Sequence, residues 1–303
     1  MSETVKHDPN LAPVETPLHR FMSDFSDSMI AMAALAVLLV IVFIALFAPF
    51  ISPTDPYDLA KVSIFDGKLP PGSVSIDGVT FWLGTDGAGR DLLSSMFYGL
   101  RISLGVGVMS GVIALCVGSS IGLIAAYYGG RVDTLIMRIV DIQLSFPAIL
   151  VALILIAALG KGVDKVIIAL VLVQWAYYAR TVRGSALVER NKEYIEAATC
   201  LGLDNKRILF RHLLPNCLPP LIVVGTVQTA HAISLEATLS FLGVGLPITE
   251  PSLGLLIANG FEYMMSGRYW ISFFPGIALL ITIVSINLVG DQLRDVLNPR
   301  LQK

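Results

Sequence analysis

The chain has 303 residues, 55% of them hydrophobic and only 15% charged, with a mean hydropathy of +0.74. That is too apolar for a water-soluble domain of this length, and it points to an all-α polytopic membrane protein. The formal net charge of -2 carries no information alone, because in such a chain the placement of Lys and Arg matters more than their sum, and no nucleic-acid footprint is present.

Residues 1–28 are polar and proline-containing, without an apolar period, and read as a loosely ordered tail. The first span, 29–50, is uncharged from Met29 to Phe50; its long polar leader and long apolar core predict an anchor that is not cleaved. The segment 51–102 follows. Within it Val74-Ser75-Ile76 and Val79-Thr80-Phe81 flank Asp77-Gly78, which predicts a small hairpin. A surface helix is expected from Asp91 to Leu100. This external element suits either a contact surface for an outside partner or a plain structural cap.

Crossing about 30 Å of hydrocarbon takes roughly 20 apolar residues in a helix, and five further segments qualify. Ser103 to Tyr128 carries Gly107-x-x-x-Gly111 and Gly118-x-x-x-Gly122, spacings that let another backbone approach closely; packing within the chain is favoured over a subunit interface. Ile139 to Leu159 contains Asp141 and Pro147, Val166 to Ala179 is expected to continue past Arg180, Leu218 to Gly245 holds His231 and Glu236, and Trp270 to Gly290 contains Pro275. Six transmembrane helices result. With the first residue inside, two thirds of the 21 Lys and Arg fall in inside segments, which puts both termini in the cytoplasm. The three cysteines, Cys116, Cys200 and Cys217, then face no oxidising compartment and are expected to be free thiols.

Glu236 is the costliest residue, since a carboxylate in a span must face a partner or a watery cavity. Thr229, Ile233, Glu236 and Ser240 share one helical face. They form either a polar stripe lining a pathway, with His231 nearby, or a buried hydrogen-bond pair between helices; the second is favoured. Asp141 lies three residues from Arg138 and is expected to pair with it.

The loop 180–217 holds the densest basic cluster: Arg180, Arg183, Arg190, Lys192, Lys206, Arg207 and Arg211. Tyr194, Ile195 and Ala198 would line one face of a helix, Gly202 suits a left-handed turn, and Asp204 can cap a second helix that runs through Ile208, Leu209 and Leu213 until Pro215 stops it. The expected product is a protruding knob with an exposed apolar face that needs a socket. The alternative is a helical hairpin folded against the chain's own cytoplasmic ends.

The string EAATCLGLDNKRILFRHLLPN from Glu196 resembles the coupling loop of binding-protein-dependent ABC importer permeases. LGTDGAGRDLLSSMFYGLRISLGVG from Leu83, LSFLGVG from Leu239 and VGDQLRDVLNPRL from Val289 are together similar to the C-type permease subunit of dipeptide, oligopeptide, opine and nickel importers. The resemblance implies a type I ABC importer permease fold with 51–102 periplasmic, 103–290 as the transmembrane core and 291–303 as a cytoplasmic tail, in the bacterial inner membrane. It implies that Glu196, Ala197, Ala198, Gly202, Asp204, Arg207, Arg211, His212, Leu214 and Pro215 form the contact with the ATPase. The implied partners are a homologous second permease, two cytosolic ATPases and a periplasmic substrate-binding protein, with lipid around them. No Gly-x4-Gly-Lys-Ser/Thr loop is present, so ATP and Mg are expected in the partner ATPases and no cofactor or catalysis in this chain. Peptides rank first as cargo, with opine, glutathione, sugar or nickel as alternatives. A secondary transporter or channel subunit is the competing class.

Overall fold

The computed structural model describes residues 16–58, 62–75, 78–247 and 249–297. The hairpin tip at Ile76 and Asp77, most of the N-terminal tail and the last residues from Asn298 onward lie outside the described residues.

Helix α1, Pro17–Ser26, occupies part of the stretch read as a loosely ordered tail. Thr16 caps it and Pro17 stands at its first position, where a missing N–H costs nothing. Phe21 and Phe25, one turn apart, stack at 6.4 Å and pack on Ala31 and Ala34 of α2, Met29–Ile51, and on Val289 and Val296 of α12, Trp270–Val296. The helix therefore ties the start of α2 to the end of α12. Because α12 reaches Val296, the expected tail boundary at 291 falls inside a helix.

After α2, strands β1 (Ser73–Val74) and β2 (Thr80–Phe81) pair antiparallel, as the sequence predicts, though over two residues each. Helix α3, Leu92–Tyr128, then runs for 37 residues without a break. The surface helix and the second span are thus one rod: Arg101 interrupts the apolar run but nothing in 92–128 interrupts the backbone hydrogen bonding. Asp91 caps it, its Oδ2 accepting from the Ser94 amide at 2.9 Å, and Gly129, at φ 62, ends it.

The predicted third span is not straight. Helices α4, Gly130–Ser145, and α5, Ala148–Leu159, meet at Phe146-Pro147 with a bend of 93°, as expected where a proline removes a donor and restricts the residue before it. Helix α6, Val163–Arg190, continues past Arg180. Short helices α7 (Glu193–Cys200), α8 (Asn205–Arg207) and α9 (Leu214–Asn216) follow, with Ile208–Leu213 wound as a π-helix between the last two. Helix α10, Leu218–Phe241, leads through a turn at Gly243 to α11, Leu253–Phe261, and then α12. Helices α2, α3, α6, α10 and α12 are each long and apolar enough to cross a membrane, and the bent pair α4 with α5 makes a sixth span if counted together.

Helices α3 and α6 pack on one another more extensively than any other pair, and the glycines explain why. A Cβ on Gly118 would lie 2.3 Å from the Trp175 carbonyl oxygen, and one on Gly122 would lie 2.4 Å from that of Ala179. Gly107 plays the same part against Ile233 of α10. Both small-residue motifs therefore serve packing within the chain.

Candidate functional site

At the end of the bundle that carries α7 to α9, the first question is which side of this element faces in. Ile195 and Ala198 on α7, and Ile208, Leu209 and Leu213 beyond it, join Leu123 and Ala126 of α3 and Tyr178, Val182 and Ala186 of α6 in one buried cluster. The apolar stripe expected to face a socket is instead the chain's own inner face, and its burial removes that surface from water at a gain of about 25 cal/mol per Å². The element is a hairpin docked on α3 and α6, not a free knob. Tyr194, read as part of the same stripe, is exposed and its hydroxyl donates to Glu189 at 2.8 Å. Partial desolvation of its ring, and then that hydrogen bond, push the Tyr194 phenol up to about 12.

The turn has the geometry the sequence implies. Gly202 sits at φ 71; its amide donates to Thr199 and the Leu203 amide donates to Ala198. These two bonds close the end of α7 in a Schellman arrangement, which favours glycine. Nothing lies within 4 Å of a Cβ at Gly202, so the need for glycine is conformational and not steric. Asp204 occupies the cap position of α8, but its side chain makes no capping bond. Tyr127 at the end of α3 donates to Asn205 Oδ1 at 2.7 Å and fastens the second arm. Pro215 does not stop the second helix; it sits within α9. It has no N–H for the preceding turn, and that turn is the π-wound one.

The basic cluster divides in two. Arg183 grips Asp133 of α4 (Nε to Oδ1 2.9 Å), Arg190 donates to the Ala126 carbonyl at 2.8 Å, Lys192 pairs with Glu189 at 2.6 Å, and Arg180 pairs with Asp141. The predicted Asp141–Arg138 pair is therefore corrected: a residue 39 positions away on α6 reaches Asp141 instead. Lys206, Arg207 and Arg211 are exposed and pair with no acid among the described residues. Beside them are Glu196, Ala197 and Pro215, also exposed, and two outward apolar side chains, Leu201 at 80% and Phe210 at 49% exposure. Leu201 and Phe210 were missed in the sequence, although both fall off the buried stripe's period. His212 and Leu214 are half-buried, and Asn216 Nδ2 donates to the His212 carbonyl at 2.7 Å.

In the middle of the bundle Glu236 is fully buried. Its oxygens accept from Ser103 Oγ of α3 at 2.9 Å and Ser240 Oγ at 2.7 Å. The Leu253 amide at the start of α11 reaches Ser103 Oγ at 3.4 Å. The carboxylate thus joins three elements, with no cation paired to it among the described residues. Thr229 donates to the Gly225 carbonyl at 2.8 Å and lines a cavity of about 380 Å³ between α2, α3 and α10. His231 is exposed on another face of α10.

The opposite end carries a network that the sequence reading left unassigned, although Thr85, Asp86, Arg90 and Ser94 lie in the Leu83 string. Asp86 Oδ1 accepts from the amides of Ala88 and Arg90, each at 2.9 Å, and its Oδ2 from Arg90 Nε at 2.7 Å. Thr85 Oγ1 donates to the Asp66 carbonyl at 2.6 Å and accepts from the Leu69 amide at 2.7 Å. Ser94 Oγ accepts from the Thr54 amide at 3.1 Å. This network welds the segment after α2 to the start of α3. Cys116, Cys200 and Cys217 are free thiols.

Residues 118–303 match the family model of the binding-protein-dependent transport system inner membrane component, and residues 16–71 match the N-terminal TM domain of oligopeptide transport permease C. The chain is 38% identical over 295 residues to the di/tripeptide transport system permease protein DppC of Pseudomonas aeruginosa, covering 97% of this chain and 96% of that one. It is 37% identical to the dipeptide transport system permease protein DppC of Bacillus subtilis, over 84% of this chain and 77% of the other. The glutathione transport system permease protein GsiD of Pectobacterium atrosepticum is 36% identical over 82% of this chain and 80% of its own length. Among solved structures, an inward-facing conformation of the MetNI methionine ABC transporter superposes with a TM-score of 0.55 at 21% identity, covering 68% of this chain and 98% of the other, and so shares the type I permease fold.

Proposed function

Because this chain belongs to the family of binding-protein-dependent transport system inner membrane components, and is a multi-pass inner-membrane permease of an ABC importer, we propose that it carries di- and oligopeptides. The names of its full-length relatives support that cargo. Its partners in this reading are a homologous second permease, two cytosolic ATPases and a periplasmic substrate-binding protein, with both termini in the cytoplasm. ATP and Mg are held by the ATPases, and this chain performs no catalysis of its own.

The observation that carries the reading is the docked hairpin of α7 to α9: fused to α3 and α6 by its buried stripe, it keeps Arg207, Arg211, Leu201 and Phe210 on its outer side. A rigid lever of this kind transmits motion. ATP closes the motor dimer, the hairpin follows it, and α3 and α6 tilt because they share a packed core with the hairpin. Glu196, Ala197, Gly202, Asp204, His212, Leu214 and Pro215 shape the contact, Ala198 anchors it, and the free arginines pair with acids on the ATPase. On α10, Glu236 and Ser240 hold the helices beside the pathway in register and Thr229 borders it, whereas His231 lies exposed on another face, away from that stripe.

Uptake of a labelled dipeptide by cells lacking other peptide importers, with this gene intact, deleted or restored, tests the cargo. Uptake lost on deletion and regained on restoration is expected. Unchanged uptake rejects peptides, and the same strains then report on glutathione, which the relative from Pectobacterium atrosepticum brings into range.

A further inference from the structure

A cavity of about 580 Å³ opens at the end of the bundle opposite the hairpin. Four segments enclose it: the stretch after α2 through Tyr57, the first turns of α3 through Tyr98 and Arg101, the start of α6, and the connection from α10 to α11 through Glu250. Its floor is apolar, made by Ile102, Val106, Met109 and Ile167. Gly105 also lines it, with nothing within 4 Å of where a Cβ would stand.

The charges here differ from the closed Asp86–Arg90 pair at the same end of the bundle. Arg90 and Asp86 satisfy one another at 2.7 Å, whereas Arg101 and Glu250 share one cavity and neither makes an ion pair or a side-chain hydrogen bond with a described residue. Two opposite charges left unpaired over an apolar floor suit a ligand that carries both an oxyanion and an ammonium group. Tyr57 and Tyr98 meet edge to face at 5.2 Å and form one wall. Burial, and then the nearby Glu250 carboxylate, push the Tyr57 phenol up to about 12, so it remains a hydrogen-bond donor through the neutral range.

We propose that this groove is a receiving subsite for a zwitterionic small peptide: Arg101 takes the terminal carboxylate through its planar fork, Glu250 takes the terminal ammonium, and a side chain of the cargo rests over Gly105 and Ile102. The proposal rests on the peptide reading above. A zwitterionic lipid headgroup offers the same pair of charges, so the test separates the two sources.

The intact importer is placed in bilayer discs made of phosphatidylglycerol alone and exposed to the photoreactive dipeptide alanyl-benzoylphenylalanine. Labelling is expected within the stretch 98–109. Free alanyl-alanine competes it away, the N-acetylated and C-amidated form does not, and Arg101→Gln or Glu250→Gln weakens it about tenfold. Gly105→Leu places a side chain in the groove from a position where a Cβ meets nothing within 4 Å and removes no charge, so it is expected to abolish labelling even if a charge variant fails to assemble; co-purification of the partner subunits checks assembly. Labelling elsewhere, equal competition by the blocked peptide, or displacement by added phosphatidylethanolamine but not by alanyl-alanine overturns the proposal. Dipeptide uptake that does not depend on the wild-type importer would reject the peptide reading itself, whereas importer-dependent uptake with unaltered labelling in all three variants would reject the subsite alone.

Discussion

At one end of the bundle Asp86 and Arg90 close on each other at 1% and 6% exposure; at the other, Lys206, Arg207 and Arg211 stand exposed and unpaired among the described residues. Both sets lie in strings that resemble the same permease family, so the strings alone do not separate them. The difference lies in what each set can reach. The network before α3 pairs Asp86 with Arg90 and Thr85 with Asp66 and Leu69 within the chain, although Asp91 Oδ1 and Ser95 Oγ are buried there without a partner among the described residues. Arg180, Arg183 and Arg190 of α6, and Lys192 just before α7, are spent within the chain, whereas Lys206, Arg207 and Arg211 of the hairpin stay outward. Closed charge marks architecture, and open charge marks contact.

The closed end can be broken first. Asp86→Ala leaves a buried guanidinium without its partner, a loss of about 3–5 kcal/mol, and is expected to lower the unfolding temperature of the purified complex by the largest margin of these substitutions. An unchanged unfolding temperature would mean that the network does not hold the segment after α2 to α3. The turn between the hairpin arms comes next. Gly202→Val forces a β-branched residue into the left-handed region at a cost of about 1–2 kcal/mol, with no clash because the space is open. Uptake is expected to fall while the membrane level of the protein persists. Gly202→Asn, which tolerates that region, is expected to retain most of the uptake, and equal loss in both variants would show that the backbone angle is not the reason for glycine.

The spans were legible because continuous apolar runs of span length admit few other readings. Helix α1 was not, although Leu18, Phe21, Met22 and Phe25 recur at helical spacing, because the helix is only 10 residues long and its partners on α12 are more than 260 residues away. The fusion of the surface helix with the second span was hidden by Arg101, which a hydropathy window treats as a boundary although a helix does not. Pro147 announced an interruption in the third span, but not its 93° angle. For the hairpin, the period of Ile195, Ala198, Ile208 and Leu213 revealed a stripe. Periodicity cannot say which way a stripe faces; that is settled by α3 and α6, which the loop's own sequence does not contain. Asp141 shows the same limit, since the local Arg138 lost to a cation on a neighbouring helix.

The most direct measurement reverses the open charges. Arg207→Glu with Arg211→Glu lies on the exposed side, where stability changes stay within about 0.5 kcal/mol, so the folded permease is expected to purify as the wild type does. If these arginines meet acids on the motor, the ATPase subunits will co-purify poorly, increasingly so as salt is raised, and uptake will be lost. Wild-type co-purification and uptake at every ionic strength would contradict the assignment of this hairpin as the contact with the ATPase.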